Sequence, residues 1–198
     1  MRILVLFGSV RTYRAGERVV HWVQDVLEDG GHDVDVVDPA RIDLPMLDRM
    51  YKEFDDGEAP PSMDRVAQDL RSADGFVIVS AEYNHGIPPA LKNLLDHFQA
   101  EYFWRPAAIV TYSASRTGGA RVQTPLRATL GELGMVTIPT MIEVPRVEET
   151  LKEDGTRRED RSLGGNVEKF VQELEWYGRA LARGIADGVP YDDPRDDA

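Results

Sequence analysis

The chain has 198 residues, 42% of them hydrophobic, enough for one substantial core, and no run approaches the roughly 18 consecutive apolar residues of a membrane span. Its formal net charge of −12 excludes a nucleic-acid groove, which needs a clustered excess of Lys and Arg. The absence of cysteine excludes disulfides, thiolate catalysis, iron–sulfur clusters and Cys-based zinc sites, so any redox chemistry must come from a bound cofactor.

Arg2 to Phe7 is a near-continuous apolar run, the pattern of a strand buried on both faces of a parallel sheet. It is too short for a signal peptide and runs into Gly8, so a soluble cytoplasmic protein is expected. Val19, Val20, Val23, Val26 and Leu27 recur at helical spacing, and Gly30-Gly31 closes that helix. His32 to Asp38 alternates in part and suits a strand near an edge. A second helix is expected over Ser62 to Ser72, with Ser62 as N-cap and Met63, Val66, Ala67 and Leu70 inward. Gly75 to Ser80 repeats the buried-strand pattern, and Leu91, Leu94, Leu95 and Phe98 define a third helix opened by Pro88-Pro89. Ala107 to Tyr112 is the fourth strand; a fourth helix carries Val122, Leu126, Leu130 and Leu133, with Thr124 as N-cap and Pro125 at its first position. Val136 to Val144 is β-branched and contains Pro139, an edge signature, and Val167, Phe170, Val171, Leu174, Leu181 and Ile185 make a long last helix. The mixed-charge run Arg146 to Arg161 reads as a solvated excursion, and residues 188–198 as an acidic frayed tail after a single domain over 1–187.

Strand and helix thus alternate five times, which predicts right-handed crossovers and a doubly wound α/β sheet with helices on both faces. Ligands of such sheets bind outside the carboxyl ends of the strands, where strand order reverses, so the loops after Phe7, Ser80 and Tyr112 matter most. The first, Gly8 to Gly16, offers a sharp turn at Gly8, the Ser9 hydroxyl, the planar donors Arg11 and Arg14, and a helix N-terminus. It suits a phosphate monoester, and lacks both the Lys of a P-loop and the three glycines of a dinucleotide fingerprint. Taken alone it reads equally as a surface turn with two solvated arginines. The second loop, Ala81 to Asn93, is rich in aromatic, amide and Gly residues and can present N–H groups and a flat face to a planar ring.

Gly8-Ser9-Val10-Arg11, followed by Glu82-Tyr83-Asn84 with the Ile87-Pro88-Pro89-Ala90-Leu91-Lys92-Asn93 continuation, resembles the NADPH-dependent FMN reductase family of flavodoxin-like quinone, azo and chromate reductases. Asp43-Leu44-Pro45-Met46 and Tyr112 to Gly119 extend the resemblance. It implies a five-stranded sheet of order 2-1-3-4-5, with the FMN phosphate held by Ser9, Arg11, Arg14 and the Gly16 turn. Glu82, Tyr83, Asn84 and His85 would flank the isoalloxazine, and Ser113, Ala114 and Ser115 would meet its pyrimidine end. Ala81 stands where the family usually has Pro, and Ala15-Gly16-Glu17 lacks the Asn or hydroxyl that many members direct at the phosphate, which shifts load to Arg14. No catalytic side chain and no metal are expected; His85 reads as a ring-edge contact, and Lys92 with Asp96 as a surface pair. The implied activity is hydride transfer from NADPH or NADH to FMN and then to a small electron acceptor. The alternative is a flavodoxin-like electron-transfer or FMN-binding protein without substrate turnover of its own. A homodimer or homotetramer is expected from the resemblance and from apolar residues at Met46 to Phe54 and Tyr102 to Trp104.

Overall fold

The computed structural model describes residues 1–191; most of the expected frayed tail, Asp192 to Ala198, lies outside them. Strands β1 (Arg2–Phe7), β2 (Asp33–Val37), β3 (Gly75–Ala81), β4 (Pro106–Tyr112) and β5 (Val136–Val144) form one parallel sheet in the order β2-β1-β3-β4-β5. Six helices connect or follow them: α1 (Gly16–Asp29), α2 (Pro61–Ser72), α3 (Pro89–Asp96), α4 (Gln123–Glu132), the single turn α5 (Val147–Thr150) and α6 (Val167–Asp187).

The two-residue period of β1 splits its side chains between two cores. Ile3, Val5 and Phe7 join Val19, Val23, Leu27, Phe170 and Leu174 beneath α1 and α6, whereas Leu4 and Leu6 meet Met63, Leu70, Leu94, Leu95 and Leu126 from α2, α3 and α4. Burial on both faces is why β1, β3 and β4 read as unbroken apolar runs. The edges look different, as expected. β2 alternates exposed and half-buried residues, and β5 bulges opposite Ala107 and Ile109, leaving Pro139 exposed. The outer edge of β5 is closed by Gly164, which exchanges two main-chain hydrogen bonds with Glu143 at 3.2 and 2.8 Å.

Several expectations need correction. The second helix begins at Pro61, and the Ser62 hydroxyl donates to the Asp43 carbonyl at 2.8 Å instead of capping. The fourth begins at Gln123, so Thr124 is no cap and Pro125 sits inside the first turn, where a missing N–H costs no helical bond. The third ends at Asp96, and Phe98 packs in the core just beyond it. The run Arg146 to Arg161 is not a free excursion. Val147 and Leu151 enter the core, Arg18 donates to the Leu151 carbonyl at 3.1 Å, and Gly155 lies so close to α1 that a Cβ there would meet the Trp22 nitrogen at 2.6 Å. The Met46 to Phe54 segment is half-buried to exposed and is anchored by a few of its residues. Tyr51 and Phe54 pack on the core, and Asn93 of α3 accepts from the Leu47 N–H at 2.9 Å and donates to the Pro45 carbonyl at 2.8 Å. Tyr102 is a core residue, and the ring of Tyr191 covers Trp104 at a centroid distance of 4.8 Å.

Candidate functional site

The strand order turns back between β1 and β3, and the three loops selected above meet at that carboxyl edge. The Gly8 N–H donates to the Val79 carbonyl at 2.9 Å, which swings the first loop over the end of β3. Among the described residues, no acceptor takes the backbone N–H groups of Ser9 through Ala15, and the exposed Arg11 side chain has no partner. A run of free N–H groups ahead of α1, beside an uncompensated guanidinium, is complementary to an anion.

Arg14 is arranged differently. Its side chain is 9% exposed; Nη1 and Nη2 grip the two Asp38 oxygens at 2.6 Å each, Nη1 also donates to the Ser9 carbonyl at 2.9 Å, and Nε donates to Glu17 at 3.0 Å. With Nη2 also 2.9 Å from Glu17, the donors of the guanidinium fork are engaged within the protein. Burial pushes the Asp38 carboxyl up, but Arg14, the Ala40 N–H and Arg41 outweigh it and hold the group below the ordinary aspartate value. Asp38 directly follows β2 and was not among the residues singled out by sequence. The available signal was an acid at the carboxyl end of the strand next to an arginine-rich loop.

In the second loop, Tyr83 and Gly86 exchange main-chain hydrogen bonds at 3.1 and 2.9 Å around Asn84 (φ 49°) and His85 (φ 68°). Two consecutive left-handed residues match a type I′ hairpin turn, which Asn tolerates and His adopts at a cost. The turn leaves Asn84 and His85 exposed. Glu82 points sideways and accepts from the Arg121 N–H at 2.9 Å and from its guanidinium at 3.3 Å, tying this loop to the third. Tyr83 ties it to the first, its hydroxyl 3.3 Å from the Ser9 hydroxyl, and Ser9 itself is only 2% exposed.

The third loop is braced from behind: the Ser113 carbonyl accepts from the Val147 N–H at 3.1 Å and the Ser115 carbonyl from the Arg146 N–H at 2.9 Å. The Ser113 and Ser115 hydroxyls lie 2.9 Å apart, and Ala114 is exposed between them. All three loops are therefore cross-linked, and no nucleophile with an adjacent base occurs where they meet. The arrangement can hold an anion at one end and present main-chain groups to a flat molecule along the cleft. A concavity of about 880 Å³ lies elsewhere, along β2 between α1 and α2, touching this site only at Phe7, Glu17 and Asp38.

The model of the NADPH-dependent FMN reductase family matches residues 1–148. The chain belongs to that family. It is 33% identical over 156 residues to an NAD(P)H-dependent FMN reductase of Schizosaccharomyces pombe, covering 73% of this chain and 74% of that one. It is 30% identical over 134 residues to a quinone reductase of Escherichia coli K12, covering 66% and 69%. FerB, a flavoenzyme NAD(P)H:(acceptor) oxidoreductase from Paracoccus denitrificans, shares the fold at a TM-score of 0.66 and 21% identity, over 92% of this chain and 97% of that one. The reductase motifs at Gly8 to Arg11 and Glu82 to Asn93 both fall inside the matched region.

Proposed function

We propose that the protein binds FMN across the three loops and works as an FMN-dependent NAD(P)H oxidoreductase with a small-molecule acceptor. The observation that carries this reading is the first loop: a run of N–H groups without acceptors, together with the free Arg11, fits one phosphate monoester. Arg11 and the Ser9 to Ala15 main chain would hold the phosphate. The Glu82 to His85 turn and Ser113 to Ser115 would flank the ring, largely through main-chain groups, because Glu82 is bound to Arg121 and the serine hydroxyls to each other. Arg14, with its donors occupied, acts as the residue that positions Ser9. Gly16 has a packing task, taken up below.

The redox chemistry is the flavin's: hydride arrives from a nicotinamide, and electrons leave to a quinone, azo compound, flavin or metal oxyanion. The protein binds and orients, and no side-chain acid or base is required of it. Residues 1–187 form the FMN-binding unit and 188–198 an acidic extension; the protein works in the cytoplasm as a homodimer or homotetramer. Exposed Tyr13 (93%), Met46 (77%) and Val10 (51%) support the assembly, because they leave apolar area uncovered near the loops. No helix among the described residues is long and apolar enough to cross a membrane. Denaturing the purified yellow protein tests the cofactor: FMN should be released, and recovery of FAD at full occupancy would refute the single-phosphate reading.

A further inference from the structure

The hydroxyl or amide that many members carry is missing from Ala15-Gly16-Glu17, and Arg14 is committed to Asp38, Glu17 and the Ser9 carbonyl. The structure shows what occupies the space instead. A Cβ built on Gly16, the first residue of α1, would overlap the hydroxyl of Tyr112 and would lie 2.6 Å from the Phe7 ring. Tyr112 is the last residue of β4, two strands from β1, and it reaches that position because its cross-strand partner on β3 is Ala81, whose side chain is too small to block it. Its ring is buried beside Phe7 and Ala81, and its hydroxyl interacts with Ser9, the residue that also meets the Tyr83 hydroxyl at 3.3 Å.

We infer that Tyr112 is a further phosphate-site residue of this reductase, its hydroxyl standing in for the side chain that Gly16 lacks. The inference rests on the FMN reading above and adds to it a third hydroxyl beside those of Ser9 and Tyr83. Burial pushes the Tyr112 phenol up, so it stays protonated and able to donate, while the uncompensated Arg11 in the same loop suits an anion. The two departures from the family pattern then have one cause. Gly16 clears the space at the helix start, and Ala81 clears the path across β3.

Tyr112→Phe removes the hydroxyl and keeps the ring, and apo-protein titrated with FMN and with riboflavin, which lacks the phosphate, separates the possibilities. The wild type should prefer FMN strongly. The variant should bind FMN about tenfold more weakly, the loss expected for one hydrogen bond to a charged group, with riboflavin affinity unchanged. Equal weakening of both ligands would mark Tyr112 as a packing residue and overturn the inference, as would an unchanged preference for FMN. A wild type that binds the two ligands alike would instead remove the phosphate reading itself, and this inference with it.

Discussion

Arg11 and Arg14 are three residues apart and look equivalent as letters, yet the fold gives them opposite tasks. Arg11 is exposed and uncommitted, so Arg11→Ala should weaken FMN binding roughly ten- to a hundredfold, the worth of a charge-assisted contact, while leaving the melting temperature near wild type. Arg14→Ala should do the reverse. It removes both short contacts to the Asp38 carboxylate, leaving only the Ala40 N–H and the exposed Arg41, and should cost about 2 kcal/mol in urea unfolding, with the ratio of FMN to riboflavin affinity changing little. The same pair sets an acid limit. Because the pKa of Asp38 is lowered in the fold, its contribution is complete above the ordinary aspartate value of about 4 and is lost as pH falls through the folded value. Asp38→Asn should therefore be less stable than wild type at neutral pH, and the gap should narrow in unfolding curves taken below about pH 4. A gap independent of pH would mean that the pair contributes by packing alone. The Gly8 to Gly16 loop was legible in sequence because its glycines, hydroxyl and arginines are adjacent; its division of labour was not, because the deciding acid lies 24 residues away, just after β2.

Helices and strands were legible wherever periodicity is enforced by burial on one or two faces, as in β1, β3, β4 and α1. Helix starts were not. Ser62 and Thr124 have the chemistry of caps, but the chain gains more by bonding Ser62 to Asp43 and by starting α4 directly after the turn at Ala120 to Val122. The same failure hid the docking of residues 151–157, whose charges face water while Leu151 and Gly155 turn inward. Gly155 has φ 87° and touches the α1 backbone, so Gly155→Ala should lift this hairpin from the helix. Limited trypsin digestion should then cut faster at Lys152, Arg157 or Arg158 than in wild type, and an unchanged rate would show that Val147 and Leu151 alone hold the segment.

At the scale of the whole molecule, the doubly wound sheet and the carboxyl edge that gathers the three loops followed from strand–helix alternation, and the strand order from the family resemblance, whereas the case for assembly changed. Tyr51, Phe54 and Tyr102 pack on the chain's own core and Tyr191 covers Phe103 and Trp104, which leaves Tyr13, Met46 and Val10 as exposed apolar groups of the loops. Light scattering at micromolar concentration should give two or four times the 22.2 kDa chain mass, and Tyr13→Ser with Met46→Ser should shift it toward the monomer. A wild type that scatters as a single chain would remove the assembly and leave the three loops as a complete site within one protomer.

The central claim is that the cleft carries a flavin that a nicotinamide reduces, and rapid anaerobic mixing of the FMN-loaded protein with NADH or NADPH tests it most directly. The account predicts fast loss of the flavin's visible absorbance with at least one of the two, followed by its return when a quinone is added. A flavin that binds stoichiometrically but keeps its colour with both nicotinamides would contradict the reductase and leave an electron carrier of the same fold.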